Sequence, residues 1–523
     1  MLCVDNADMV SLRAAFAEGK TTATDLTNAY LARIAAFDAR GPMLNSVREI
    51  NPDALAIAGK IDAGKKRRPL EGMPILIKDN IASGDKMHTT AGSLALADAR
   101  AKRDATVTRL LREAGAVILG KANLTEFANI LAVGMPSGYS SLGGQVRNPY
   151  APAVDAKLVP IVATGGSSAG SGVAVAAGLA AAAIGTETSG SLLSPANQNG
   201  LVTVKPTVGL ISRAGIIPIA ASQDTAGPMT RTVRDAALLL NVLAVADPAD
   251  PATAKLKRPK DYTAGLDRDG LRGMRIGVPS EPDDPGNDVY YKDLSPKARA
   301  VMARSIQALE DGGAIIVRAN IPTAGWIGGP GTDMAVLNRN PESPGRNSVN
   351  RLSLVFVYEL KHDMNAYLRD WAKGTKMRKF EDIIAFNDAH AAQALRFGQD
   401  IFLAAAATKG DLSEGEYKFG RRNDILASRK NGLDLYMDTH KLDAVLFPGT
   451  SGAGIAAKAG YPSVLVPAGF VSGVGKVATP DYPLGATFTG RAWSEAKLLR
   501  IAYAFEQLTQ ARRPPPGFGC EGG

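Results

Sequence analysis

Apolar positions along this chain change rhythm three times. Near the N-terminus, "TDLTNAYLARIAAFDA" sets Leu26, Tyr30, Ile34 and Phe37 on one face of a helix, behind a threonine that can cap its start. A second short helix is expected in "ALAIAGKIDA", after Asn51-Pro52-Asp53. From Met73 onward the pattern becomes short, continuous apolar runs alternating with amphipathic stretches. The runs at 73–81, 116–119, 201–207, 274–279, 314–319, 443–449 and 463–469 read as buried strands. Between them lie helices such as "DATVTRLLREAG", stopped at Gly115, one starting near Thr125, and "SPKARAVMARSIQALEDGG", which opens on Ser-Pro and stops at glycine. Strands without alternation, set between helices, need cover on both faces. The fold class expected is α/β: a large single-domain α/β/α sandwich around a mixed, largely parallel twisted sheet.

The third rhythm divides the chain. Residues 1–63 read as a helical segment packed on the core, 64–324 as the main body of the sandwich and 442–511 as its C-terminal part. Between them, 325–441 opens on a Gly/Pro/Asn-rich loop (Gly328 to Asn350). It continues in long helices around "LVFVYELKHDMNAYLRDW" and "FEDIIAFNDAHAAQALRF", a helical excursion placed to cover a substrate site. The tail 512–523, "RRPPPGFGCEGG", reads as disordered, and no repeats occur.

Composition changes this picture little. The 523 residues are 45% hydrophobic and 21% charged, enough for a large core. Cys3 and Cys520 lie near opposite ends, so no disulfide framework is implied and no cysteine-based zinc site is expected. No His/Asp/Glu set has metal-ligand spacing, and no cofactor is expected. The net charge of +9 is spread among acids; its sharpest cluster, Lys65-Lys66-Arg67-Arg68, reads as a solvated loop rather than a nucleic-acid site. The N-terminus lacks a signal-peptide pattern, and the run from Val173 to Ile184 is too short and alanine-rich to span a bilayer. A cytoplasmic monomer or homodimer that binds neither membrane nor nucleic acid is expected.

Candidate chemistry concentrates in "ATGGSSAGSGVAVAAGLAAAAIGTETSGSLLSPA", Ala163 to Ala196. Its glycine/serine clusters border an apolar run, "VAVAAGLAAAAIG", that reads as one buried small-residue helix rather than as a linker. Gly166-Ser167-Ser168-Ala169-Gly170 satisfies the Gly-x-Ser-x-Gly nucleophile elbow, with "KLVPIVAT" as its strand. That fold needs a late histidine on a loop. His88 precedes the serines, while His362, His390 and His440 sit in helix-like contexts. Serine can instead use a neutral lysine as base. In water that costs about 4.6 kcal/mol at pH 7, with about one lysine in 2,500 uncharged, unless burial depresses the pKa. Lys78, following the apolar "PILI", is a candidate.

"GMPILIKDNI", "ATGGSSAGSG" and "GTETSGSLLSPA", in that order, resemble the catalytic segments of the amidase signature family. The likeness continues through "VKPTVGLISRAGIIPIAASQDTAGPMTRTVRDAALLL", "DAVLFP", "GYPSVLVPAGF" and "TFTGRAWSEAKLLRIAYAFEQ", and is nearest to the bacterial peptide amidase branch. It implies the amidase signature fold and amide hydrolysis. Lys78 would be the base, Ser167 a bridging serine in a cis peptide, and Ser191 the nucleophile; Ser168 becomes incidental. The backbone N–H groups of Thr188, Ser189, Gly190 and Ser191 would form an oxyanion hole. Asn129, Tyr139, Gly165, Gly166 and Leu193 are expected to contact substrate.

Three departures bear on specificity. Many members read Gly-Thr-Asp-x-Gly-Gly-Ser before the nucleophile, whereas here Glu187 and Ser189 replace the acid and a glycine. Members that deliver ammonia to glutamyl-tRNA carry arginine two residues after the nucleophile, where this chain has Leu193. The segment Ala153 to Ala163 is longer than the peptide amidase branch leads one to expect, and with the loop Ala128 to Gln145 it would wall the site. An uncharged organic group is expected as substrate, as an aryl or alkyl amide, a C-terminal peptide amide or a carbamate. The rival readings are a non-catalytic scaffold, an α/β-hydrolase using Ser168, and one subunit of an amidotransferase.

Overall fold

The computed structural model describes residues 3–64, 68–155, 157, 159–281, 288–325, 353–473 and 481–520. The basic residues Lys65 to Arg67 and the loop Gly328 to Asn350 lie outside them. Eleven strands form one sheet: β1 (Val47–Ile50), β2 (Pro74–Lys78), β3 (Val117–Ala122), β4 (Ala182–Glu187), β5 (Val202–Lys205), β6 (Thr225–Thr230), β7 (Arg275–Val278), β8 (Ile315–Arg318), β9 (Ala444–Pro448), β10 (Ser463–Val471) and β11 (Tyr482–Thr489). Their spatial order is β1-β3-β2-β4-β6-β5-β10-β11-β9-β7-β8.

The sheet is mixed, as expected. Its parallel pairs form two blocks, β3-β2-β4 and β9-β7-β8, joined by an antiparallel centre. Every residue of β2, β3, β4, β5, β6 and β9 is buried. Successive side chains of a strand point to opposite faces, so this pattern requires cover on both. Helices Ala169–Ala176, Val233–Leu243, Pro296–Asp311 and Glu495–Thr509 pack on the sheet.

The helix expected around Leu26 is Ala23–Arg33, capped by Thr22, whose hydroxyl accepts from Asp25 N–H at 3.0 Å, and a shorter helix, Met9–Ala17, precedes it. Residues 1–63 are not all helical, however, because β1 adds an antiparallel edge to β3. Four half-exposed residues give too short a pattern to read. The small-residue run also divides: the helix stops at Ala176, Gly178 turns the chain at φ +69°, and β4 follows. An alanine run carries no period that separates a buried helix from a buried strand. Close packing explains its glycines, since a Cβ on Gly170 would lie 2.3 Å from Ser46 O and 2.4 Å from Asn123 O.

From Leu354 to His440 the chain is mainly helical. Leu354–Asp370, Phe380–Ala389 and Asp400–Ala406 share a separate apolar cluster with Leu124 to Leu131, Ile217 and Ile219. Among the described residues no helix is long and apolar enough to cross a membrane.

The termini correct two expectations. Cys3 and Cys520 form a disulfide, with Cα atoms 6.1 Å apart. The tail is ordered through residue 520: the Phe518 ring packs tilted against Phe37 with centroids 5.2 Å apart, and Phe518 O accepts from the Arg33 guanidinium at 2.5 Å. Tail composition could not reveal the receiving site on the first helices. Disulfides persist in oxidising compartments, which the cytoplasmic reading did not provide for. Reduction should raise the intact mass by two hydrogens and destabilise the fold by about 2–4 kcal/mol. Cys520→Ser should melt where the reduced wild type does; equal melting of oxidised and reduced protein would remove the bond's structural role.

Candidate active site

β2 and β4 run parallel and in contact, with Ile77 opposite Ile184, and bring Lys78 and Thr186 together at their C-terminal ends. Ligands of α/β sheets bind beyond such strand ends. Lys78 is fully buried. Its Nζ lies 2.7 Å from Ser167 Oγ and 2.9 Å from Thr186 Oγ1. The peptide bond between Gly166 and Ser167 is cis. Burial pushes the Lys78 amine down to about 7, while the charges of Asp224 and Glu187 pull partly the other way. At neutral pH about half of such amines are uncharged, so the cost of a neutral base in water has largely gone.

The turn from Thr188 to Leu193 is held from two sides. Glu187 Oε2 accepts from Leu192 N–H at 2.7 Å and Leu193 N–H at 3.0 Å. Thr188 Oγ1 donates to Asp224 Oδ1 at 2.5 Å, and the same carboxylate takes the N–H groups of Ile219 and Ala220. Gly190 has φ +86° with no heavy atom within 3.4 Å of a built Cβ, so backbone conformation rather than crowding selects glycine there. Ser191 is 8% exposed, and its carbonyl accepts from Ser168 N–H at 3.3 Å. Among the described residues the N–H groups of Ser189, Gly190 and Ser191 donate to no group of the chain. They remain available to an anionic oxygen.

Ser168 is occupied elsewhere. Its hydroxyl donates to Thr186 O at 3.0 Å and accepts from Thr186 N–H at 3.2 Å. Among the described residues no strand leads directly into it; Val154 and Pro160 form an isolated bridge shortly before the serines. The histidines also have partners away from the serines: His88 with Glu49, His362 with Asp363, His390 with Phe386, and His440 with Tyr436.

Of the residues expected to contact substrate, Leu193 has no exposure and belongs to the main apolar cluster. A leucine directly after a serine-rich turn looks like a wall residue, but the helix Leu193–Gln198 turns it inward. Gly165 and Gly166 hold backbone in tight quarters, where a Cβ would meet Pro195 Cα at 2.5 Å and Thr125 Oγ1 at 2.7 Å respectively. Asn129 is exposed, and the Tyr139 ring packs on Phe397 at 4.9 Å. The long segment before the serines is tied to the helical excursion by Arg396, which donates to Lys157 O at 2.8 Å.

None of these five lines the cavity of about 250 Å³ that adjoins Thr186 and Thr188. Its walls include Asn80, Arg213, Asp224, Asp363, Tyr367 and Trp371. Where an uncharged organic group was expected as substrate, this wall carries charged side chains beside apolar ones. Burial pushes the Asp224 carboxyl up to about 7. Asn80 and Asp224 lie in the segments "KDN" and "SQDTAGP", but nothing local marks them as site residues.

An amine beside one serine hydroxyl, next to a turn of unused N–H groups and away from every histidine, has the chemistry of a serine–lysine hydrolase site. Comparison with known proteins shows the family and the class of reaction. The Amidase family model matches residues 25–327. A probable amidase of Arabidopsis thaliana is 37% identical over 524 residues, covering 98% of this chain and 92% of that protein. The structure of native peptide amidase from Stenotrophomonas maltophilia matches at 41% identity and a TM-score of 0.81, covering 97% of this chain and 98% of that one. A subunit of the glutamyl-tRNA(Gln) amidotransferase of Chloroflexus aurantiacus is 33% identical over 512 residues, 96% of each. The chain belongs to the amidase family and is an enzyme that hydrolyses carbon–nitrogen bonds.

The turn's dependence on Glu187 can be measured. Glu187→Ala strands two buried N–H groups and should cost about 2–4 kcal/mol, whereas Glu187→Gln keeps an acceptor and should cost about 1 kcal/mol. Melting temperatures of the two variants check the order; equal losses would show that the carboxylate does not hold the turn.

Proposed function

We propose that this enzyme hydrolyses linear carboxamides, either aryl or alkyl amides or C-terminal peptide amides, through Ser191, Ser167 and Lys78. The observation that carries the reading is the fully buried Lys78 amine, 2.7 Å from Ser167 Oγ and shifted to about 7. Ser191 Oγ attacks the carbonyl carbon while its proton passes to Ser167, whose own proton passes to neutral Lys78. Charge on the carbonyl oxygen meets the N–H groups of Thr188, Ser189, Gly190 and Ser191; one such donor is worth about 3–4 kcal/mol in the transition state. The C–N bond then breaks as the proton returns along the same path to the departing amine. Water repeats the sequence on the acyl-enzyme, frees the acid and restores Ser191.

A carbamate would pass through the same steps, its C–N bond breaking to release the amine and leave an alkoxycarbonyl-enzyme that water then hydrolyses. Amidotransferase activity is supported by the Chloroflexus relative, but the resemblance leads one to expect an arginine where Leu193 is buried. The proposed enzyme acts as a monomer or homodimer without a cofactor or nucleic acid.

Release of one chromogenic aniline from an acyl anilide and from its matched carbamate tests the reading. Wild type should turn over at least one of them, and Ser191→Ala should lose at least about a thousandfold, while Ser168→Ala keeps measurable turnover. Full activity in Ser191→Ala would refute the assignment. Since the reaction needs neutral Lys78, kcat/KM should be lost as pH falls through about 7 and level off above it. A profile flat from pH 5 to 9 would remove Lys78 as the base.

A further inference from the structure

The cavity beside Thr186 and Thr188 has a wall chemistry that amide hydrolysis alone does not require. Four carboxylates line it, against one guanidinium. Two of the four are neutralised: Asp250 by Arg213, at 2.7 and 2.5 Å, and Asp370 by Arg369, with both contacts at 2.8 Å. The other two have no lysine or arginine within salt-bridge distance among the described residues. Asp363, whose side chain is 12% exposed, accepts from Ala221 N–H at 2.8 Å and meets His362 on its outer side. Asp224 is held by the Thr188 hydroxyl and two N–H groups.

A third acceptor joins them from a different strand end. Asn80 lines the cavity at 2% exposure, and its Nδ2 donates to Thr186 Oγ1 at 3.0 Å. Its Oδ1 has no donor among the described residues. A buried carbonyl oxygen left without a donor costs free energy that a bound N–H group would recover. Ile216, Ile217, Tyr367 and Trp371 supply apolar wall beside these acceptors.

We propose that this cavity binds a positively charged, hydrogen-bond-donating arm of the amide substrate, an ammonium or guanidinium on a short apolar stem, through Asp363, Asp224 and Asn80 Oδ1. The inference rests on the amidase reading above and adds the substrate's charge. A nearly buried carboxylate without a lysine or arginine partner favours a cation over a neutral isostere, because the cation restores the pairing that burial removed. Asp224, which burial and, to a lesser extent, the charge of Asp363 push up to about 7, would be drawn back into its ionised form by the same ligand.

Benzylammonium and benzyl alcohol, similar in shape and different in charge, test the proposal by calorimetric titration of the wild-type enzyme. Benzylammonium should bind at least tenfold more tightly, lose affinity as salt rises, and weaken at least tenfold in Asp363→Asn. Equal or tighter binding of benzyl alcohol overturns the proposal, as does undiminished benzylammonium binding by a folded Asp363→Asn. The wild-type comparison decides even if the variant does not fold. The titration reads no turnover, so it fails separately from the amidase reading, which falls only if the neutral anilide and carbamate are cleaved independently of Ser191.

Discussion

An ammonium ion taken out of water loses more solvation than a few hydrogen bonds return. Lys78 sits under that constraint with no exposure, between the hydroxyls of Ser167 and Thr186. Lys121 and Lys205 are equally buried, and burial brings each of them to about 8. Their amines meet backbone carbonyls, of Ile81 in one case and of Ala456 and Tyr461 in the other, which suit a protonated amine. Lys78 is the one of the three that faces a serine hydroxyl. The position is created by the parallel β3-β2-β4 block, which places the lysine at a strand end inside the sheet rather than at its rim.

The rest of the centre is a set of supports for that placement. Glu187 and Asp224 hold the turn by its amides and by Thr188, and both also lie close enough for their charges to raise the lysine's pKa. One pair of carboxylates therefore shapes the turn and moderates the amine. Moving either would change geometry and proton affinity together. Gly165 and Gly170 let neighbouring backbone approach closer than any side chain allows, and Gly166 does the same for the side chains of Thr125 and Ser137.

Much of this was legible in the sequence, for identifiable reasons. Apolar runs such as "PILI" and "AVLF" contain too many large residues in a row for anything but buried strands, and β2 and β9 lie within them. Lys78 was visible because a cation directly follows such a run. What stayed hidden depends on distant partners. β4 lies in an alanine-rich stretch that fits helix and strand alike. β6, "TAGPMT", contains glycine and proline and is a strand because β4 and β5 flank it. The tail packs because Arg33 and Phe37 receive it. Leu193, next to the chemistry in sequence, packs into the main apolar cluster, a placement that its neighbours in the chain do not announce. Asp224 and Asp363 reach one cavity from segments far apart in the chain, and neither carries a local signature.

The central claim is that Ser191 becomes acylated through Ser167 and Lys78. The most direct measurement is rapid acid quenching of turnover on an activated acyl anilide, followed by intact-mass analysis and peptide mapping. Expected is a single acyl adduct on the peptide carrying Ser191, forming more slowly as the pH falls below about 7, where Lys78 becomes protonated. An adduct on Ser167 or Ser168, or turnover in which a sensitive quench traps no adduct at any pH, would contradict it.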